Sequence, residues 1–166
     1  MTREESIALY KAQSRRLYNI SLRIVRDGGL AEEIMQDTIL KYLTLFQESP
    51  VGERSRTTSW LSKTCIRASI DALRKRKREK LFLEEYANDA AYDDTPVETD
   101  SLDIAKVHKA IDELKEPYRL IINLILIEGL DYEEISDITG EQEGTIRTQY
   151  SRAKKMLEKI LKESNN

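Results

Sequence analysis

The chain predicts an all-α protein built as two small helical domains joined by an acidic linker, and three observations carry that prediction. Apolar residues recur at spacings of three and four almost everywhere outside two loops, while strand signals are nearly absent. Between Glu84 and Asp103 stand eight acidic residues and no cation, with Pro96 and few large apolar residues after Tyr86. Such a stretch cannot bury enough apolar surface to offset the entropy of ordering it, so it reads as a tether. Tyr132 to Leu161 reads as two helices broken by one tight turn. The predicted domains are therefore 1–83 and 104–166, with 84–103 between them.

The elements follow in order. Glu4 to Val25 is the first helical tract, with Leu9, Leu17, Ile20 and Ile24 among its apolar positions, and Asp27, Gly28 and Gly29 stop it. Ala31 to Phe46 forms a second helix that buries Met35, Ile39, Tyr42, Leu43 and Phe46 along one stripe. Ser49 to Ser59 is a polar loop containing Pro50 and Gly52. A third helix starts near Trp60, carries Leu61, Cys65, Ala68, Ala72 and Leu73, and runs into a block of cations. Beyond the linker, a fourth helix occupies about Ile104 to Leu114. A fifth opens with Pro117 as its first residue and ends at Gly129 after the apolar run LIINLILI.

The final pair carries the sharpest local signals. Asp131 can cap its first helix, with Glu134 three residues on completing a capping box. Ile135 and Ile138 supply a buried side, and Gly140 stands where a sharp turn needs a residue tolerant of positive φ. The second helix begins near Gln142 to Thr145, and Ile146, Tyr150, Ala153, Leu157 and Leu161 form its inward stripe. Arg147, Thr148, Ser151, Arg152, Lys154 and Lys155 lie mostly off that stripe, where a major groove would be. The plainer alternative is a charged helix face that is merely solvated. A frayed tail, Ser164 to Asn166, ends the chain.

Composition narrows the function classes. The net charge of the 166 residues is only −3, yet its distribution is uneven. From Arg67 to Lys80 there are seven cations, five of them in the run Arg74 to Arg78, against Asp71 and Glu79 alone. A near-neutral total hides a basic block beside an acidic one. Cys65 is the only cysteine, so no intrachain disulfide is expected, and no Cys/His cluster suits zinc. His108, the only histidine, sits in an amphipathic pattern and reads as a surface or partly packed residue. No glycine-rich phosphate loop and no Ser/His/Asp arrangement emerges, and the carboxylate pairs at helix starts are explained by the macrodipole. No enzymatic activity, metal or cofactor is expected. The opening MTREESIALYKAQSRR has no apolar h-region, and Leu120 to Ile127 is too short to span a bilayer, so a cytoplasmic protein without direct membrane insertion is expected.

Three segments support a family resemblance. Leu30 to Lys41, LAEEIMQDTILK, Trp60 to Lys75, WLSKTCIRASIDALRK, and Gly144 to Ala153, GTIRTQYSRA, occur in the order and spacing of an extracytoplasmic-function (ECF, group IV) RNA polymerase sigma factor. The chain resembles that family from roughly Tyr10 to Lys80 as region 2 and from Ile104 to Leu161 as region 4. The resemblance implies a factor that binds bacterial core RNA polymerase and directs promoter-specific initiation.

It also implies site roles. Glu33, Gln36, Asp37 and Lys41 would contact the clamp helices of the β′ subunit, the alternative being a solvated helix face. Trp60 would pack the start of the promoter-facing helix or touch a displaced base at the minus-ten element. Arg67, Arg74, Lys75, Arg76, Lys77 and Arg78 would meet phosphates there, giving affinity that falls with salt. In region 4, which binds the minus-thirty-five element and the β flap, Gly144 and Thr145 would offer backbone N–H groups to a phosphate. Arg147, Thr148, Ser151 and Arg152 would reach base edges or nearby phosphates, and Lys154 and Lys155 the DNA backbone.

The chain departs from the family pattern at three places: Arg67 where many relatives have Asn, Thr58 where an aromatic or apolar residue is common, and Gln142 where a capping Ser or Thr is common. An anti-sigma factor is a further partner implied by the family alone. The competing readings are a LuxR-like helix-turn-helix regulator and a sigma-derived interaction adaptor; residues 30 to 80 discriminate, since a regulator would carry an input domain there.

Overall fold

The computed structural model describes residues 1–48, 54–82 and 102–164, all of whose regular elements are helical. Most of the predicted linker, 84–101, lies outside the described residues, as does the part of the predicted loop from 49 to 53. The chain divides into two compact units, Met1–Val97 and Glu98–Asn166.

The first unit is a bundle of α1 (Arg3–Val25), α2 (Gly28–Leu45) and α3 (Arg54–Phe82). Thr2 opens α1 with a full capping box: its side chain accepts from the Glu5 N–H, and the Glu5 carboxylate accepts from the Thr2 N–H. Arg26, not a glycine, ends α1 in the left-handed region at φ 55, its N–H bonded to Leu22 O at 2.8 Å. Asp27, Gly28 and Gly29 therefore do not serve as the predicted stop. Asp27 accepts from the Leu30 N–H at 3.1 Å as the N-cap of α2, and the two glycines are its first residues.

Leu17, Ile20, Ile24 and Val25 of α1 are buried with Ala31, Ile34, Met35, Ile39 and Tyr42 of α2 and Leu61, Cys65, Ile66 and Ile70 of α3. Two corrections concern α3. It begins at Arg54, so the loop predicted to reach Ser59 is helical from 54 onward. Local propensity gave way to tertiary bonds there: the buried Thr57 hydroxyl meets the Tyr42 hydroxyl at 3.0 Å. Its inward face is Leu61, Cys65, Ile66, Ser69 and Ile70, whereas Ala68, Ala72 and Leu73 are only half-buried. Small polar groups let α1 and α3 approach closely: Ser69 Oγ lies 2.9 Å from Ser21 Oγ, and the Cys65 thiol donates to Leu17 O at 3.4 Å.

Thr58 also faces α1. Its hydroxyl accepts from the buried Gln13 amide at 3.4 Å and its carbonyl from Arg16 at 3.3 Å. The residue that departs from the family pattern thus has a structural task.

The second unit comprises α4 (Leu102–Asp112), α5 (Tyr118–Ile122), α6 (Tyr132–Thr139) and α7 (Glu143–Ser164), with a π-helical segment, Asn123–Ile127, continuing α5. Ala110, Ile111 and Leu114 pack with Ile122, Ala153 and Leu157 to form its core. Pro117 is the residue before α5 rather than its first. Glu116 satisfies the helix start instead, accepting from the Leu120 N–H at 3.3 Å while it pairs with the buried Arg119 guanidinium at 3.0 Å. The π segment, in which the Glu128 N–H reaches Asn123 O at 3.0 Å, was not readable from the continuous apolar run LIINLILI.

Candidate nucleic-acid interface

In the second unit, α6 and α7 are the predicted helix-turn-helix. Asp131 caps α6 by accepting from the Glu134 N–H at 2.8 Å, and the Glu134 carboxylate answers the Asp131 N–H at 3.3 Å. Gly140 closes α6 with φ 78, where any Cβ would be strained, and its N–H bonds Ser136 O at 2.8 Å. The Ser136 hydroxyl then donates across the turn to Glu141 O at 2.6 Å. Gln142 stands just before α7, its carbonyl accepting the first helical bond from the Ile146 N–H at 3.1 Å. Ile135 of α6 and Ile146 of α7 are both fully buried where the two helices pack against each other and on the rest of the unit.

That packing decides which side chains of α7 face solvent. Ile146, Ala153 and Leu157 are buried, and Gly144, Thr145, Arg147, Thr148, Ser151, Arg152, Lys154 and Lys155 are all exposed. At 3.6 residues per turn, Thr148, Ser151 and Lys155 stand opposite the buried stripe. Arg147 and Arg152 stand on its two flanks rather than opposite it. On its flank Arg147 lies over the Tyr132 ring, 5.2 Å from the centroid, and Tyr132 meets Tyr150 edge-on with centroids 6.4 Å apart. Lys154 in turn covers Tyr150 at 4.6 Å. The Thr148 hydroxyl donates to Gly144 O at 3.0 Å, leaving an oxygen lone pair toward solvent.

In the first unit, the cations of α3 divide into two sets. Arg67, Arg74 and Arg78 are separated by seven and four residues and so share one face; all three are exposed, as are Lys75 and Lys77 beside them. Arg76 falls on the opposite side of the helix. It donates to Val25 O at 2.9 Å and to Asp27 Oδ2 at 2.9 Å. The sequence reading put Arg76 with the phosphate-binding cations; the structure instead uses it to hold the α1–α2 corner. It complements the last carbonyls of α1 and pairs with the residue that caps α2.

Arg76→Ala is therefore expected to lower the melting temperature, by about 1 kcal/mol in stability. The ion pair itself counts for little, because the two side chains are 38% and 48% exposed. Arg78→Ala should leave stability within about 0.5 kcal/mol and reduce the salt dependence of DNA binding instead. Equal melting temperatures for the two variants would show that the corner does not depend on Arg76.

Trp60 is half-buried at the end of α2, edge-on to Tyr42 at 5.6 Å and to Phe46 at 5.5 Å. On α2 itself, Glu33, Gln36, Asp37 and Lys41 are exposed on one face. Sequence reasoning missed their neighbour Leu40, which is 62% exposed in the middle of them. The available signal was its position one residue beyond the buried Ile39, off the stripe. Tyr132 was missed too, because a first-turn aromatic reads as core.

A capped helix-turn-helix with an exposed cationic face, preceded by a separate three-helix unit with its own basic helix, is the arrangement of a helix-turn-helix transcription factor. Comparison with known proteins narrows the class. Residues 9–79 match sigma-70 region 2 and residues 104–157 match sigma-70 region 4. RNA polymerase sigma factor SigV of Bacillus subtilis is 32% identical over 142 residues, 84% of this chain and 81% of its own length. ECF RNA polymerase sigma factor SigE of Mycolicibacterium smegmatis is 28% identical over 92% of this chain, which spans 60% of that relative. Among solved structures, sigma factor RpoE from Bartonella quintana, in complex with the anti-sigma factor NepR, superposes with a TM-score of 0.64 at 26% identity, covering 96% of this chain and 98% of that one.

The chain belongs to the ECF sigma factors of the sigma-70 family, and its function is to direct RNA polymerase to promoters in transcription initiation. The family consists of transcription regulators rather than catalysts. The region 2 match occupies the place where a LuxR-like regulator would carry an input domain. No helix among the described residues is long and apolar enough to cross a membrane, and none of their His, Cys, Asp and Glu side chains cluster as a metal site would require.

Proposed function

We propose that the exposed face of α2 is the surface for the β′ clamp helices, with Leu40 as its apolar centre and Glu33, Gln36, Asp37 and Lys41 as its polar rim. Protein interfaces commonly combine a small apolar centre with such a rim. Arg67, Arg74, Lys75, Lys77 and Arg78 of α3 meet phosphates at the minus-ten element, with Trp60, in the second turn of that helix, packing it against Tyr42 and Phe46. The second unit takes the minus-thirty-five element and the β flap. Within it, Gly144 and Thr145 approach a phosphate, Arg147, Thr148, Ser151 and Arg152 reach base edges, and Lys154 and Lys155 bind backbone.

The protein works in the cytoplasm, and the acidic segment that precedes α4 joins the two units. The Bartonella quintana relative was solved with an anti-sigma factor bound, and a partner of that class is proposed here as well. The observation that carries the residue assignments is the exposed polar and cationic face of α7, on the helix whose other side buries Ile146, Ala153 and Leu157.

The test is competition binding of the holoenzyme to promoter duplexes bearing single substitutions upstream, at two salt concentrations. An arginine forked onto a guanine edge contributes about 1–3 kcal/mol of discrimination. Arg147→Ala and Arg152→Ala should each flatten the preference at one or two base pairs, whereas Lys154→Ala should weaken all duplexes alike and lower the salt dependence. Unchanged relative affinities for both arginine variants would assign the choice to DNA shape instead.

A further inference from the structure

We infer that Tyr132 is a specificity-determining positioning residue: its ring holds the Arg147 guanidinium in the orientation from which it reads a base. This deepens the reading of α7 as the base-reading helix and rests on it. Arg147 stands on the flank of α7 nearest α6, where an unsupported arginine would sample many rotamers. The guanidinium lies 5.2 Å from the Tyr132 centroid, within the range of a cation–π contact. Tyr132 is itself half-buried at the first position of α6, with Asp131 capping that helix and Tyr150 meeting its ring edge-on at 6.4 Å. The platform is therefore anchored by a cap on one side and by α7 on the other.

The chemistry suits the task. Stacking uses the flat face of the guanidinium, while recognition of guanine uses the N–H groups at its edge, so one does not compete with the other. The ring is uncharged, so the stack leaves the cation's charge available to the groove; a carboxylate in the same place would pair with the N–H edge and occupy it. Ordering the side chain before DNA arrives also removes part of the entropy cost of binding, and it does so only for the base that this arginine meets. An exposed cation–π contact of ordinary strength corresponds to a two- to fivefold effect.

The experiment uses the full chain assembled with core polymerase and promoter duplexes singly substituted at each upstream position. Arg147→Ala first locates the base pair whose preference depends on that arginine. Tyr132→Leu should then lose about two- to fivefold discrimination at that pair and little elsewhere. Tyr132→Phe, which keeps the ring, should retain it. In the Arg147→Ala background Tyr132→Leu should have no further effect there. Thermal melts followed by circular dichroism confirm that each variant is folded.

Two outcomes overturn the proposal while leaving the reading of α7 intact: full discrimination in Tyr132→Leu at the pair that Arg147→Ala disturbs, or a uniform loss on every duplex, which would make Tyr132 a scaffold or phosphate contact. Should Arg147→Ala disturb no base pair at all, the assignment of Arg147 fails and the positioning role with it.

Discussion

Replacing Gln36 and Asp37 together with lysine is expected to abolish co-purification with core RNA polymerase, with a loss of about a hundredfold or more in affinity. Both side chains are exposed on α2, and the one bond Gln36 makes, to Glu32 at 3.5 Å, is marginal. Helicity and melting temperature should therefore hardly move. The effect arises at the interface, where two new cations meet a surface shaped for an amide and a carboxylate, and like-charge juxtaposition costs several kcal/mol. Leu40→Ala, which removes the apolar centre without changing charge, should weaken association less and without a salt dependence. A folded double-lysine variant that still assembles a holoenzyme at normal concentration would place the polymerase contact elsewhere.

Ile146→Ala is expected to give the largest loss of stability in the second unit, about 2–5 kcal/mol. Ile146 is fully buried, and truncation there leaves a cavity between α6 and α7 rather than a surface that can close over. In a unit of this size such a loss approaches the whole of the available stability. The chain has a single tryptophan, Trp60, and it lies in the first unit. In urea, the fluorescence midpoint should thus stay in place while part of the circular dichroism signal melts earlier. A coincident shift of both signals would mean that the two units unfold together, and no shift would mean that the burial of Ile146 is dispensable.

Much of this architecture was legible because it rests on periodicity and on local chemistry. The Asp131–Glu134 capping box, the left-handed Gly140 and the inward stripe of α7 each depend on residues within a turn or two of one another, and each was found as expected. What escaped depends on partners distant in sequence. Residues 54–59 look like a loop until Tyr42 and Gln13 are placed beside Thr57 and Thr58. Within a run of five cations, spacing alone puts Arg76 on a different side from Arg74 and Arg78, but only the fold brings Asp27 to it. The exposure of Leu40 was missed for a different reason: it lies off the buried stripe, and one apolar residue standing among polar ones adds nothing to the periodic signal.

The anchoring of Arg76 at the α1–α2 corner has a consequence for anyone exchanging segments between such proteins. A helix has a rotational phase, and here one side chain of the basic block sets it. With Arg76 pinned to Val25 and Asp27, the azimuths of Arg74, Lys75, Lys77 and Arg78 are determined by their distance from it along the helix. Inserting one residue between Ser69 and Arg76 would turn either the core face or the cationic face by about a hundred degrees, since one residue is about 1/3.6 of a turn. A graft of a foreign basic segment must therefore preserve the residue count to this arginine, and not merely the number of charges.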